Sequence, residues 1–140
     1  MSVETRTATN VKQAVPFFGV RNIDASLAFY VDGLGFTLTN KWTPDNRIRW
    51  CWLELGGAAV MLQEYRPERK PAERVGAGVS VCFMCNDALA LYHDFIARGI
   101  QAQPPFVGNA LWVMQVSDPD GYKLLFESPT DVPEETMYCG

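Results

Sequence analysis

The hydrophobic and polar positions of this chain fall into one ordered pattern that occurs twice. In the first half an apolar run, Val15-Pro16-Phe17-Phe18-Gly19-Val20, is followed by Asp24 and then by apolar residues at Leu27, Tyr30, Val31 and Leu34. Those spacings predict a helix that starts from an Asp24 N-cap and stops at Gly33 and Gly35. Three strand-like runs follow, over Phe36–Trp42, Ile48–Leu55 and Ala58–Tyr65, with a tight turn at Gly56-Gly57 joining the last two.

The second half repeats the order. A strand over Val79–Cys85 leads through Asn86-Asp87 into a helix with Ala88, Leu91, Tyr92 and Phe95 on one face, ended by Gly99. Strands are predicted over Ile100–Gln103, Ala110–Val116 and Tyr122–Glu127, with the turn Asp118-Pro119-Asp120-Gly121 between the last two. Asn22 and Asn86, Gly57 and Gly121, and Met61 and Leu125 recur at an offset of about 64 residues. The pattern predicts one small domain of two modules, 14–65 and 79–127. Residues 66–78, rich in Pro, Gly and charge, read as a flexible linker. A polar tail, 128–140, has no role that the pattern assigns.

Two motifs within this repeat resemble the vicinal oxygen chelate superfamily. Val20-x-x-Ile23-x-x-Ser26-x-x-Phe29-Tyr30, closing with Gly33-Leu34-Gly35-Phe36, is similar to its first-module signature, and Asp118-Pro119-Asp120-Gly121-Tyr122 to its last hairpin. The superfamily includes glyoxalase I, extradiol dioxygenases, fosfomycin-resistance enzymes and bleomycin-resistance proteins. The resemblance implies an α+β fold of two βαβββ modules whose mixed sheet curves into a cup. It also implies a divalent metal in that cup, held by His, Glu or Gln on the first and last strands of each module. Carried onto this chain, those positions are Val15, Met61, Ser80 and Leu125. Two hydrocarbon side chains, a thioether and a hydroxyl make a poor donor set for such a cation. The expectation is therefore no metal and no cofactor, as in the bleomycin-resistance branch.

Strand alternation lists what lines the cup instead. Phe17, Trp50, Trp52, Glu54, Met61 and Gln63 come from the first module, and Ser80, Met84, Gln115 and Leu125 from the second. These are the candidate ligand-binding residues: mostly apolar and aromatic with a few polar groups, the make-up of a small-molecule site. A second reading has Trp50, Trp52 and Met61 packing on each other or on another subunit, which would fill the cup. Lys123 and Glu127 are read as a structural ion pair. The single histidine, His93, falls off the apolar stripe of its helix and is expected in solvent.

Composition narrows the partners. A net charge of −4 argues against nucleic acid and mildly favours a cationic or neutral ligand. The basic run Arg66, Arg69, Lys70 and Arg74 is broken by Glu68, Glu73 and two prolines, and reads as a solvated loop. The chain has no apolar run of the length a membrane helix needs and opens on polar residues, so the cytoplasm is the expected location. Cys82 and Cys85 are three apart on a strand and should diverge. All four cysteines are read as reduced and mostly buried, with no zinc site.

The leading expectation is a metal-free protein that binds a small hydrophobic, aromatic or cationic molecule in its cup, as a homodimer, with no catalytic residues. One alternative is an enzyme of lyase, isomerase or dioxygenase type using Glu54, Gln63 or Glu127 with an atypical metal or none. The other is a protein that takes no small ligand and works through its subunit interface.

Overall fold

The computed structural model describes residues 10–73 and 75–140; Arg74, of the basic run, and most of the polar segment Met1 to Gln13 lie outside the described residues. In chain order the elements are β1 (Phe17–Val20), α1 (Ile23–Leu27), β2 (Thr37–Trp42), β3 (Trp50–Leu55) and β4 (Ala58–Glu64), then β5 (Ser80–Met84), α2 (Ala88–Ala97), β6 (Phe106–Gly108), β7 (Leu111–Ser117) and β8 (Lys123–Pro129). They form two four-stranded sheets of matching order, β1-β4-β3-β2 and β5-β8-β7-β6. Within each, the first and last strands run parallel and the remaining pairs antiparallel. This is the α+β, βαβββ-repeat architecture, with the two sheets open rather than closed on each other.

Alternation of side chains along the strands builds the core. Cys51, Leu53, Val60 and Leu62 in the first sheet, and Met114, Val116, Leu124 and Phe126 in the second, turn to the covered side and are buried. α1 and α2 lie against that side. α1 is capped by Asn22, not Asp24: extended backbone at Asn22 lets its side chain accept from Ala25 N at 3.1 Å, and Asp24 sits in the first turn. Asp87 caps α2 in the same way, accepting from Ala90 N at 3.0 Å. α1 then passes into a π-helical turn, Ala28–Gly33, which carries the buried Tyr30.

Three connections differ from the sequence pattern. Ile100–Gln103 forms no strand; pairing begins at β6, beyond Pro104 and Pro105, whose nitrogens have no hydrogen to donate. The linker is docked: Gly76 N donates to Asp120 O at 2.9 Å, and a Cβ at Gly76 would lie 2.2 Å from Tyr122 N. The tail is strapped along β6. Val107 N donates to Thr136 O at 3.0 Å, Glu135 N to Val107 O at 2.8 Å and Tyr138 N to Pro105 O at 2.8 Å.

The two halves share one hydrophobic cluster, and polar groups of the Asp118–Gly121 turn pin them together. Asp118, 1% exposed, accepts from Asp120 N at 2.8 Å and Tyr122 N at 2.9 Å with one oxygen, and from the Tyr30 hydroxyl at 2.8 Å with the other. Gly121 closes the turn at φ +88°, a conformation a side chain would strain. Asp120 accepts from Arg21 Nε at 3.1 Å. The Tyr122 ring stacks on Phe18 at 4.0 Å between centroids, and its hydroxyl donates to Gly19 O at 3.1 Å. Burial, opposed by the Tyr30 hydrogen bond, holds the Asp118 carboxyl above the usual carboxylate range. Burial, and then the Asp118 charge, keep Tyr30 protonated as the donor.

Tyr30→Phe removes a donor from a buried carboxylate and should destabilise the fold by about 1–3 kcal/mol in urea unfolding. Because folding raises the Asp118 pKa, the folded chain binds the more protons in the window above about pH 4, and this contribution to stability falls as pH rises through it. The stability of wild type relative to Asp118→Asn should therefore decline with rising pH across that window; a flat or rising difference would contradict the assignment.

Candidate functional site

The face of each sheet turned away from its helix is left open. On the first sheet, register places Phe17 beside Met61 and Met61 beside Trp52 in one row. Gly19, Gln63, Trp50 and Trp42 form the next row. Trp50, Trp52 and Met61 are half-buried, while Phe17 and Trp42 are 56% and 54% exposed. Trp42 is the member that alternation did not find. A β-bulge between Leu38 and Asn40 shifts the parity of β2 and brings Trp42 onto the face of Trp50. Its position opposite a tryptophan was the available signal, once the register is known.

Glu54 does not stand free on this face: it accepts the Trp52 indole N–H at 2.7 Å and so fixes the plane of that ring. Gln63 is exposed, and its side chain makes no hydrogen bond among the described residues. The neighbouring Glu64 points to the other side, where it accepts from Ile23 N at 2.9 Å and pairs with Arg49 at 2.8 Å.

On the second sheet Cys82, Leu125 and Gln115 make the row equivalent to Phe17, Met61 and Trp52, and Ser80, Lys123 and Ser117 lie in the row beside it. Met84, Glu127, Val113 and Phe106 make the row on the other side, with Met137 of the tail bridged to Phe106 at its end. Met84 is 65% exposed. The expected ion pair between Lys123 and Glu127 is not formed. Four residues apart on one strand, the two are separated by about 13 Å. His93 is exposed as expected, and its Nε2 meets the Tyr138 hydroxyl at 2.8 Å.

The ten candidate residues thus form two groups, six on the first open face and four on the second. Within each group they are neighbours. The ring contacts and hydrogen bonds that join the halves run through the covered faces and the Asp118 turn (Phe36 against Phe83, Phe18 against Tyr122, Tyr30 to Asp118), not between the two open faces.

The inherited metal positions do not fit a metal. Val15 and Leu125 have no donor atom, and Met61 and Ser80 lie on different sheets. Among the described residues no three His, Cys, Asp or Glu side chains converge. The four cysteines are free, and only Cys51 is buried, with burial pushing its thiol up to about 11; Cys82 and Cys139 are exposed. Cys82 and Cys85 diverge, Cys82 on the open face and Cys85 donating to Glu127 O at 3.3 Å.

Among the described residues no helix is long and apolar enough to cross a membrane. No curated protein matches the chain in sequence. Solved structures share its fold. TioX from Micromonospora sp. ML1 superposes with a TM-score of 0.67 at 21% identity, over 85% of this chain and 99% of its own. A bleomycin resistance determinant encoded on the transposon Tn5 gives 0.69 at 21% identity, over 87% and 100%. TnmS3, an antibiotic binding protein from Streptomyces sp. CB03234, gives 0.64 at 23% identity, over 85% and 98%. The model of the Glyoxalase/Bleomycin resistance protein/Dioxygenase superfamily matches residues 12–126, most of the sequence, and the chain belongs to that superfamily.

Proposed function

We propose that this protein binds a small planar aromatic molecule without the help of a metal, and that a second copy of the chain completes the site. The observation that carries the reading is the first open face: three tryptophans and a methionine in adjacent registered positions, with an unengaged amide, Gln63, between them. Apolar surface of this kind, left uncovered beside a few polar groups, is what a ligand site for flat molecules requires. The likeness of fold to an antibiotic binding protein and to a bleomycin resistance determinant supports the same reading.

The second open face supplies Leu125, Met84 and Gln115 but no tryptophan. In the homodimer we propose, the first sheet of one copy faces the second sheet of the other, and each cup takes residues from both. β1 and β5, each with one edge unpaired among the described residues, are the strands that would meet the partner. Stacking a flat ring on this face and removing on the order of 100 Å² of its apolar surface from water would contribute roughly 2–3 kcal/mol. Enclosure by both sheets raises that figure, which brings micromolar affinity within reach.

Titration with a panel of planar aromatic compounds should give saturable tryptophan quenching. Trp50→Ala should weaken the affinity about tenfold, with an unchanged far-ultraviolet circular dichroism spectrum. If no member of the panel binds, and Trp50→Ala unfolds the protein, the tryptophans belong to a filled face and the reading fails.

Elemental analysis of dialysed protein should find no stoichiometric transition metal; one Fe, Mn, Ni or Zn per chain would overturn metal independence. Conversely, the combined substitutions Val15→His, Ser80→His and Leu125→Glu should create measurable divalent-metal affinity if the two half-sites meet in the dimer.

A further inference from the structure

The first open face ends in a pocket of about 310 Å³, where Phe17 and Gln63 meet Tyr65, Arg66 and Arg69. Local geometry sets the two arginines on one side. Pro67–Arg69 is a 3₁₀ turn with Arg66 as its N-cap, closed by Arg69 N donating to Arg66 O at 2.9 Å. Pro67 stiffens the turn, and the side chains of Arg66 and Arg69 line the same pocket beside the end of β4.

Their electrostatic state sets them apart. Arg21, Arg47, Arg49 and Arg98 each pair with a carboxylate. Arg66 and Arg69 are the arginines without a carboxylate partner among the described residues, in a chain whose net charge is −4. Glu64, the one acidic residue of the pocket lining, turns its carboxylate to the other side of the sheet, where Arg47, Arg49 and Ile23 N engage it. Two guanidinium groups without a carboxylate partner among the described residues therefore line a pocket whose one acidic residue is engaged elsewhere. The Tyr65 ring forms one wall and packs on Gly19, where a Cβ would lie 2.6 Å from it.

We infer that this pocket is an oxyanion subsite and that the ligand is a planar aromatic acid, its ring on Trp50, Trp52 and Phe17 and its carboxylate-type group on Arg66 and Arg69. The assignment rests on the proposed aromatic site and reverses the preference for a cation that net charge alone suggests. A guanidinium presents two parallel N–H donors that match the oxygens of a carboxylate, sulfonate or phosphate. Gln63, between the tryptophans and the arginines, can donate its amide to the same group.

The test compares 2-naphthoate with uncharged 2-naphthalenemethanol by isothermal titration calorimetry, at low and moderate salt. Wild-type protein should bind the acid roughly tenfold more tightly than the alcohol, and added salt should narrow the gap. Combined Arg66→Ala and Arg69→Ala should abolish the preference and leave alcohol binding unchanged. Arg98→Ala, which removes a positive charge that does not line the pocket, should leave the preference intact. Equal affinities in wild type, or a preference that survives the double substitution, would overturn the oxyanion subsite while leaving the aromatic site standing. If neither probe binds, the aromatic site and the subsite fall together.

Discussion

The Asp118 carboxylate is the constraint on which the rest of the structure depends. It sits in the turn that closes the second sheet, almost wholly out of water, and it answers to both halves of the chain at once. A buried charge of this kind costs several kcal/mol unless it is hydrogen-bonded, and the bonds it has fix geometry in two directions. The backbone N–H groups of Asp120 and Tyr122 shape the turn, while the hydroxyl of Tyr30 reaches it from the π-helical turn after α1. With Arg21 on Asp120 and Phe18 on Tyr122, the first strand and first helix are bolted to the last hairpin. The covered faces of the two sheets are consequently committed to each other, and both open faces are left over.

A domain built for stability alone would have little reason to leave Phe17 and Trp42 more than half exposed beside half-buried tryptophans on the first sheet, and Met84 more than half exposed on the second. In the metal-binding arrangement that the family resemblance implies, a cup of this kind would hold a divalent cation. Here the positions that would ligate it carry Val15, Met61, Ser80 and Leu125, and the site we propose relies instead on aromatic surfaces, the Gln63 amide and two arginines.

Much of this was legible in the sequence because the signals were periodic. Alternation identified the buried and open faces of β3, β4, β7 and β8 correctly, and the Gly56-Gly57 and Asp118–Gly121 turns set their registers. What escaped depended on events without a period. A single-residue bulge reversed β2 and hid Trp42, two prolines displaced β6, and a polar tail became a strap along that strand through backbone groups that carry no sequence signature. The Asp118–Gly121 motif was legible as a turn but not as the joint between the halves, since Tyr30 is 88 residues away. Arg66 and Arg69 read as solvated linker because their spacing matters only on a 3₁₀ turn, and because an unpaired charge is recognised only when every neighbour's partner is known.

The central claim is that one cup is built from the first sheet of one copy and the second sheet of another, and subunit complementation tests it most directly. One variant would carry Trp50→Ala and Trp52→Ala, the other Met84→Arg and Leu125→Arg, so that each homodimer has every cup spoiled. Co-expressed and separated by tags, the mixed dimer should contain one cup free of substitutions and one with all four. Restored binding at half the wild-type stoichiometry, with wild-type affinity, is the expected result. Mixed dimers that bind no better than either parent, or variants that bind normally on their own, would contradict the shared cup.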